Sequence, residues 1–147
     1  MKGTEKRRAL TQWCHFLQVL ARDFGDKDRC FRAFGGALYH HLIQHCSFIA
    51  HYDRSGFFSH YFDRGDDALR FLRQFDREEN PEGTSVEYGD AWWLQGEYAD
   101  INQAMRETAT PFLRSIRASA AAAQEASDLG EARRLAARHG LSLVGRK

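Results

Sequence analysis

Five of the seven histidines, His40, His41, His45, His51 and His60, fall between Ala37 and Phe62, in ALYHHLIQHCSFIAHYDRSGFFSHYF. Imidazoles this dense among aromatics have three chemical uses. They ligate a metal, move protons near neutral pH, or form the polar rim of a helical core. Spacing helps to separate these uses. His41 and His45 lie four apart, so a helix projects both from one face, within reach of a shared ion. At about 100° per residue, His41, His45, Phe48 and Tyr52 line the edge of an apolar face. His40, Gln44, Ser47 and His51 fall on the opposite side.

A metal site needs a third and usually a fourth donor, and His60, Asp53 or Cys46 could serve only if the following turn folds back. His15 lies opposite the apolar stripe of its own helix. Neither H-E-x-x-H nor a repeated Glu-x-x-His pattern occurs. A metal-dependent bundle enzyme using His41 and His45 is therefore an alternative, and semi-buried, hydrogen-bonded histidines beside aromatics are the plainer expectation. Asp53 as a base beside His45 or His60 competes with a simpler role at a helix end, next to Arg54-Ser55-Gly56. No nucleophile elbow, phosphate loop or dinucleotide fingerprint appears, so neither a catalytic residue nor a cofactor is assigned.

The elements that position these residues read as helices. Leu10, Trp13, Leu17, Leu20 and Phe24 recur at three- and four-residue steps from Thr4, with Gly25 as the stop. Asp26 or Asp28 then caps a second, long helix to about Asp53, carrying Phe31, Phe34, Leu38 and Leu42 and kinked at Gly35-Gly36. Asp53 to Gly56 reads as a turn. Gly65-Asp66 opens a third helix, and Arg77 to Gly89 is an acidic loop. Asp90 caps a fourth helix with Leu94, Tyr98, Ile101 and Met105 on one side. Thr110-Pro111 starts a fifth, and Asp128 a sixth that ends at Gly140. The expectation is an all-α, single-domain bundle of five to six helices over residues 1–147.

At 147 residues and 43% hydrophobic content the chain can bury a core unaided. No apolar run is long enough to span a membrane, and no secretory signal opens the chain. Cys14, Cys30 and Cys46 lack C-x-x-C spacing and read as small core residues in a reducing compartment, so the expected location is cytoplasmic.

The net charge of +1 conceals a segregation: +4 over residues 1–52, −7 over 53–100 and +4 over 101–147. Such a layout either pairs internally or presents two partner surfaces. The leading reading is a non-catalytic interaction module, meaning an adaptor, inhibitor or accessory subunit of a macromolecular complex. Trp92 points off the apolar face of its helix and Trp93 sits near its edge, beside Glu87 and Asp90. Tyr52, Arg54 and Tyr61 form a second candidate surface, whereas Phe58 and Phe62 plug the bundle. Aromatics beside charge are the usual composition of contact hot spots.

The alternative is an accessory subunit of a nucleoprotein complex that grips nucleic-acid backbone through Lys6, Arg7, Arg8, Arg114, Arg117, Arg133, Arg134 and Arg138. EARRLAARHGLSL resembles the opening of a helix-turn-helix, but the sequence stops where a recognition helix would begin. The oligomeric state is left open.

Overall fold

The structure, a computed structural model, describes residues 2–46, 48, 52–84 and 91–140. Among the described residues seven α-helices occur and no strand: α1 Lys2–Asp23, α2 Lys27–Ala33, α3 Gly36–His45, α4 Arg54–Phe62, α5 Gly65–Leu72, α6 Ala99–Ala109 and α7 Leu113–Arg138. The all-α class expected from periodicity holds, and the divisions between helices differ at four places.

α1 is the axis of the fold, packing against α2, α3, α6 and α7. That position explains why Phe16 and Val19 are buried along with Trp13, Leu17 and Leu20. A helix covered on several sides has no single apolar stripe. Asp26 caps α2, its Oδ1 accepting the Arg29 amide at 3.1 Å.

The long second helix is broken rather than kinked. Gly35 is extended, and α3 starts afresh at Gly36. A Cβ on Gly35 would lie 2.2 Å from the Gln12 carboxamide carbon. Gln12 needs that space, because its Oε1 accepts the Leu38 amide at 2.8 Å and so caps α3 from α1. The expected turn after Asp53 is the start of α4, with Asp53 Oδ1 accepting the Gly56 amide at 2.7 Å. Asp53 is therefore an exposed cap and not a buried base.

α4 supplies more of the aromatic core than any other helix. Phe57, Phe58, Tyr61 and Phe62 are all buried. Phe57 stacks on Phe34 at 5.7 Å, Phe48 on Phe71 at 4.3 Å, and Phe75 joins Trp13 to Trp93 at 4.7 and 5.5 Å. Such contacts add stability beyond the area they bury.

The fourth helix begins later than expected. Trp92–Leu94 and Gly96–Tyr98 form two 3-10 turns separated by Gln95, the second opening at Gly96 with φ of 77°, before α6 starts at Ala99. The fifth and sixth helices are one. A 3-10 turn holding Pro111 leads into α7, which runs unbroken past Asp128. It stops at Gly140, with φ of 67°, as expected.

Candidate functional site

His41 and His45 do share a face of α3, and they open onto a cleft of about 570 Å³ between α3, the first turns of α1 and Tyr98. Glu5, Lys6, Arg8, Gln12 and His40 are among the other residues of its wall. Tyr98 stacks on the His45 ring at 3.6 Å and meets His41 edge-on at 5.8 Å. Lys6 closes one end, donating to the Glu97 carbonyl at 2.7 Å and pairing with Asp100 at 3.1 Å.

Beneath the cleft lies Asn102, fully buried on α6. Its Nδ2 donates to the His45 carbonyl at 2.8 Å and to the Trp93 carbonyl. Two carbonyl acceptors fix the amide's orientation, so Oδ1 can only accept, and it receives the Cys46 thiol at 3.3 Å. His41 Nε2, 2.7 Å from the same oxygen, must therefore carry the proton. Its lone pair is left at Nδ1.

Burial lowers the His41 pKa, and the neighbouring His45 and Lys6 charges add to that, against the Asn102 hydrogen bond. Burial also lowers His45, opposed by Glu97 and Glu5. Both shifts favour the neutral form of the ring. Burial pushes the Cys46 thiol well up and Cys30 to about 11, so neither is a thiolate nucleophile.

Two imidazoles fall short of a metal site. Among the described residues no group of three or more His, Cys, Asp or Glu side chains converges, and Nε2 of His41 is already committed. His60 does not fold back to join them; it is exposed and stacks on Tyr52 at 4.9 Å. His40 is exposed, and His51 lies outside the described residues. The hydrogen bonds of Lys6, His41 and Asn102 around the cleft tie α1, α3 and α6 together.

The expected contact surfaces are rearranged. Trp92 is 48% exposed, as its position off the core face implied. Trp93, expected near an edge, is 1% exposed, and its Nε1 donates to the Gly83 carbonyl at 2.7 Å. The 3-10 turns, not an α-helix, set these two indoles, so helical angles misplace Trp93. Tyr61, expected at the surface, is buried against Phe57 and Phe71. Arg54 turns inward to the end of α2, donating to the Phe34 carbonyl at 2.7 Å with its guanidinium 4.3 Å over Phe31. Tyr52 is half-buried, its carbonyl accepting the Tyr39 hydroxyl. Glu87 and Asp90 lie outside the described residues.

The basic residues divide similarly. Lys6 is held by Asp100, Arg117 pairs with Glu79 at 3.5 Å and Arg134 with Glu131 at 3.0 Å. Arg7, Arg8, Arg114, Arg133 and Arg138 face solvent. The first two of those ion pairs join a basic end of the chain to its acidic middle, which is the internal pairing the charge layout allowed. Exposed pairs of this kind contribute under about 1 kcal/mol each.

A surface that the sequence did not single out is the far half of α7. The buried residues of this helix are Leu113, Ile116 and Ala120. Ala123 is the last to touch the core. From Gln124 to Arg138 the helix continues for about 22 Å without one buried side chain, and Leu135 is 44% exposed. One signal was present: between Ile116 and Leu129 the sequence RASAAAAQEASD holds no large apolar residue, so beyond the small contacts of Ala120 and Ala123 little there anchors the helix to a core. No family model, curated protein or solved structure matches this chain. No described helix is long and apolar enough to cross a membrane.

Proposed function

We propose that this protein is a non-catalytic helical module that docks another macromolecule, as an adaptor, inhibitor or accessory subunit. Its contact elements are the projecting half of α7 and the indole of Trp92. The observation that carries this reading is the stretch from Gln124 to Arg138, where Leu129, Ala132, Leu135 and Ala136 are all unburied and have no core to face among the described residues. A lone helix of that length is marginal in water, so a partner surface is the natural cover. Trp92 adds the one other exposed large apolar side chain among the described residues.

A second reading, contact with nucleic-acid backbone, draws on one feature. Arg133, Arg134 and Arg138 follow Glu131 in the last stretch of the projecting helix, with no acid among them. Salt dependence is its signature.

The test recovers the full chain from its native cells, with and without nuclease, beside the Trp92→Ala and Leu129→Gln/Leu135→Gln variants. A protein retained after nuclease and lost from the variants supports docking, with Trp92→Ala weakening the complex by roughly 2 kcal/mol. A nuclease-sensitive assembly supports the second reading. Equal retention by all three chains removes both contact elements.

A further inference from the structure

We infer that the projecting half of α7 pairs with the same segment of a second copy of this chain, antiparallel and two-fold symmetric about a crossing near Ala132. This assignment rests on α7 being a docking element and names what docks there.

The geometry begins with the apolar residues. At about 100° per residue, Leu129, Ala132, Leu135 and Ala136 share one stripe of α7. That stripe is turned roughly 130° from the side on which Leu113, Ile116 and Ala120 enter the core. Among the described residues, the body of the protein therefore neither covers the stripe nor obstructs a helix laid along it. Ala132 at the centre, flanked by leucine on both sides, lets two helices approach closely with larger side chains filling the space to either side.

Charge fixes the direction. The projecting segment carries Glu125, Asp128 and Glu131 in its first half and Arg133, Arg134 and Arg138 in its second. Glu125 and Asp128 lie on the stripe's side of the helix and Arg133 borders it, whereas Arg134, paired with Glu131 of its own helix, and Arg138 point away. Laid antiparallel, Asp128 of each copy comes beside Arg133 of the other. Laid parallel, like charge would lie against like along the whole contact. Length agrees as well. With the crossing at Ala132, the second helix would end beside Gln124, just where the other face of the first, through Gln124 and Ser127, still borders the body at Gly25 and Gly65. Leu129 of each copy comes opposite Leu135 and Ala136 of the other.

Sedimentation equilibrium of the full chain is the test. Twice the 16.9 kDa chain mass is expected, falling toward one chain on dilution. Leu129→Gln/Leu135→Gln, in which glutamine keeps the helix, should weaken association at least tenfold with unchanged helical circular dichroism. Arg133→Glu/Arg134→Glu/Arg138→Glu and Glu125→Lys/Asp128→Lys/Glu131→Lys should each remain single chains, and their mixture should restore the two-chain mass. With Cys14 replaced by alanine, Ala132→Cys should cross-link to itself on oxidation and Glu125→Cys should not. A single-chain mass at every concentration overturns the inference. So does a two-chain mass that survives both leucine replacements, and efficient Glu125→Cys cross-linking overturns the antiparallel direction. A single-chain mass together with a nuclease-resistant foreign partner would overturn self-pairing and leave the docking reading standing.

Discussion

Replacing Asn102 with alanine tests whether the buried amide, more than the histidines around it, holds α3 to α6. The change strands four groups: His41 Nε2–H, the weakly donating Cys46 thiol, the His45 carbonyl and the Trp93 carbonyl, all of which Asn102 partners. A buried polar group left without its partner costs about 1 to 3 kcal/mol. Water can reach the His45 side, because that bond is only partly buried. The expected loss is therefore about 3 kcal/mol in total, a large share of an ordinary domain's stability. Urea unfolding at pH 7.5, followed by circular dichroism and by tryptophan fluorescence, reads it directly. Trp93 sits on the network, so both probes should move together. A loss below about 1 kcal/mol with coincident transitions would show that Asn102 is incidental, and the argument for a junction would fail.

Two further perturbations bear on the same packing. The His41 pKa is lowered in the folded state, chiefly by burial, so the unfolded chain binds the proton more readily. Stability is then complete above about pH 6.5 and falls as pH drops below it, by up to about 1.4 kcal/mol per pH unit for one histidine. The groups facing His41 are Asn102, His45, Lys6 and Tyr98, and His45 adds in the same direction. Urea midpoints at pH 7.5 and 5.5 measure the effect; equal midpoints, or a rise on acidification, contradict it. The adjacent glycines should part company. Gly35→Ala drives Gln12 off the α3 amide and should cost about 1 to 2 kcal/mol. Gly36→Ala meets open space at the first position of α3 and should stabilise by about 0.5 to 1 kcal/mol. Thermal melts that move both variants the same way would refute the cap.

Local chemistry in the sequence carried the helices and their stops: the α1 spacing through Trp13, Leu17 and Leu20, the Asp26 cap and the Gly140 terminus. It also separated His40, turned outward, from His41 and His45 beneath Tyr98. What it missed depended on neighbours far along the chain. Phe16 and Val19 are buried because α1 is surrounded, and a single-stripe reading allows for one covered side only. Gly35 breaks the helix because Gln12 occupies the space beside it. Trp93 turns inward because residues 92–98 run in two 3-10 turns, where α-helical angles do not apply. Asn102 and Arg106 are buried on α6 although their type suggests a wet face. Arg106 donates to the Asn80 carbonyl and holds down the loop after Asp76, a contact visible only once the helices are assembled. The projecting half of α7 could not be told from a packed helix by periodicity, since both carry an apolar stripe.

The packing of α1 on α7 orders events during synthesis. Ser119 Oγ accepts the Phe24 amide at 3.1 Å, and Ala123 is the residue a Cβ on Gly25 would meet. Of the described helices, the first to be synthesised, α1, thus finishes its end against the last, α7. At roughly 5 to 20 residues per second, that flank of Leu20 and Phe24 stays bare for several seconds while the intervening chain emerges. A nascent chain halted before Leu113 would present this flank to chaperones, and release of the arrested polypeptide should free a sticky, protease-sensitive species.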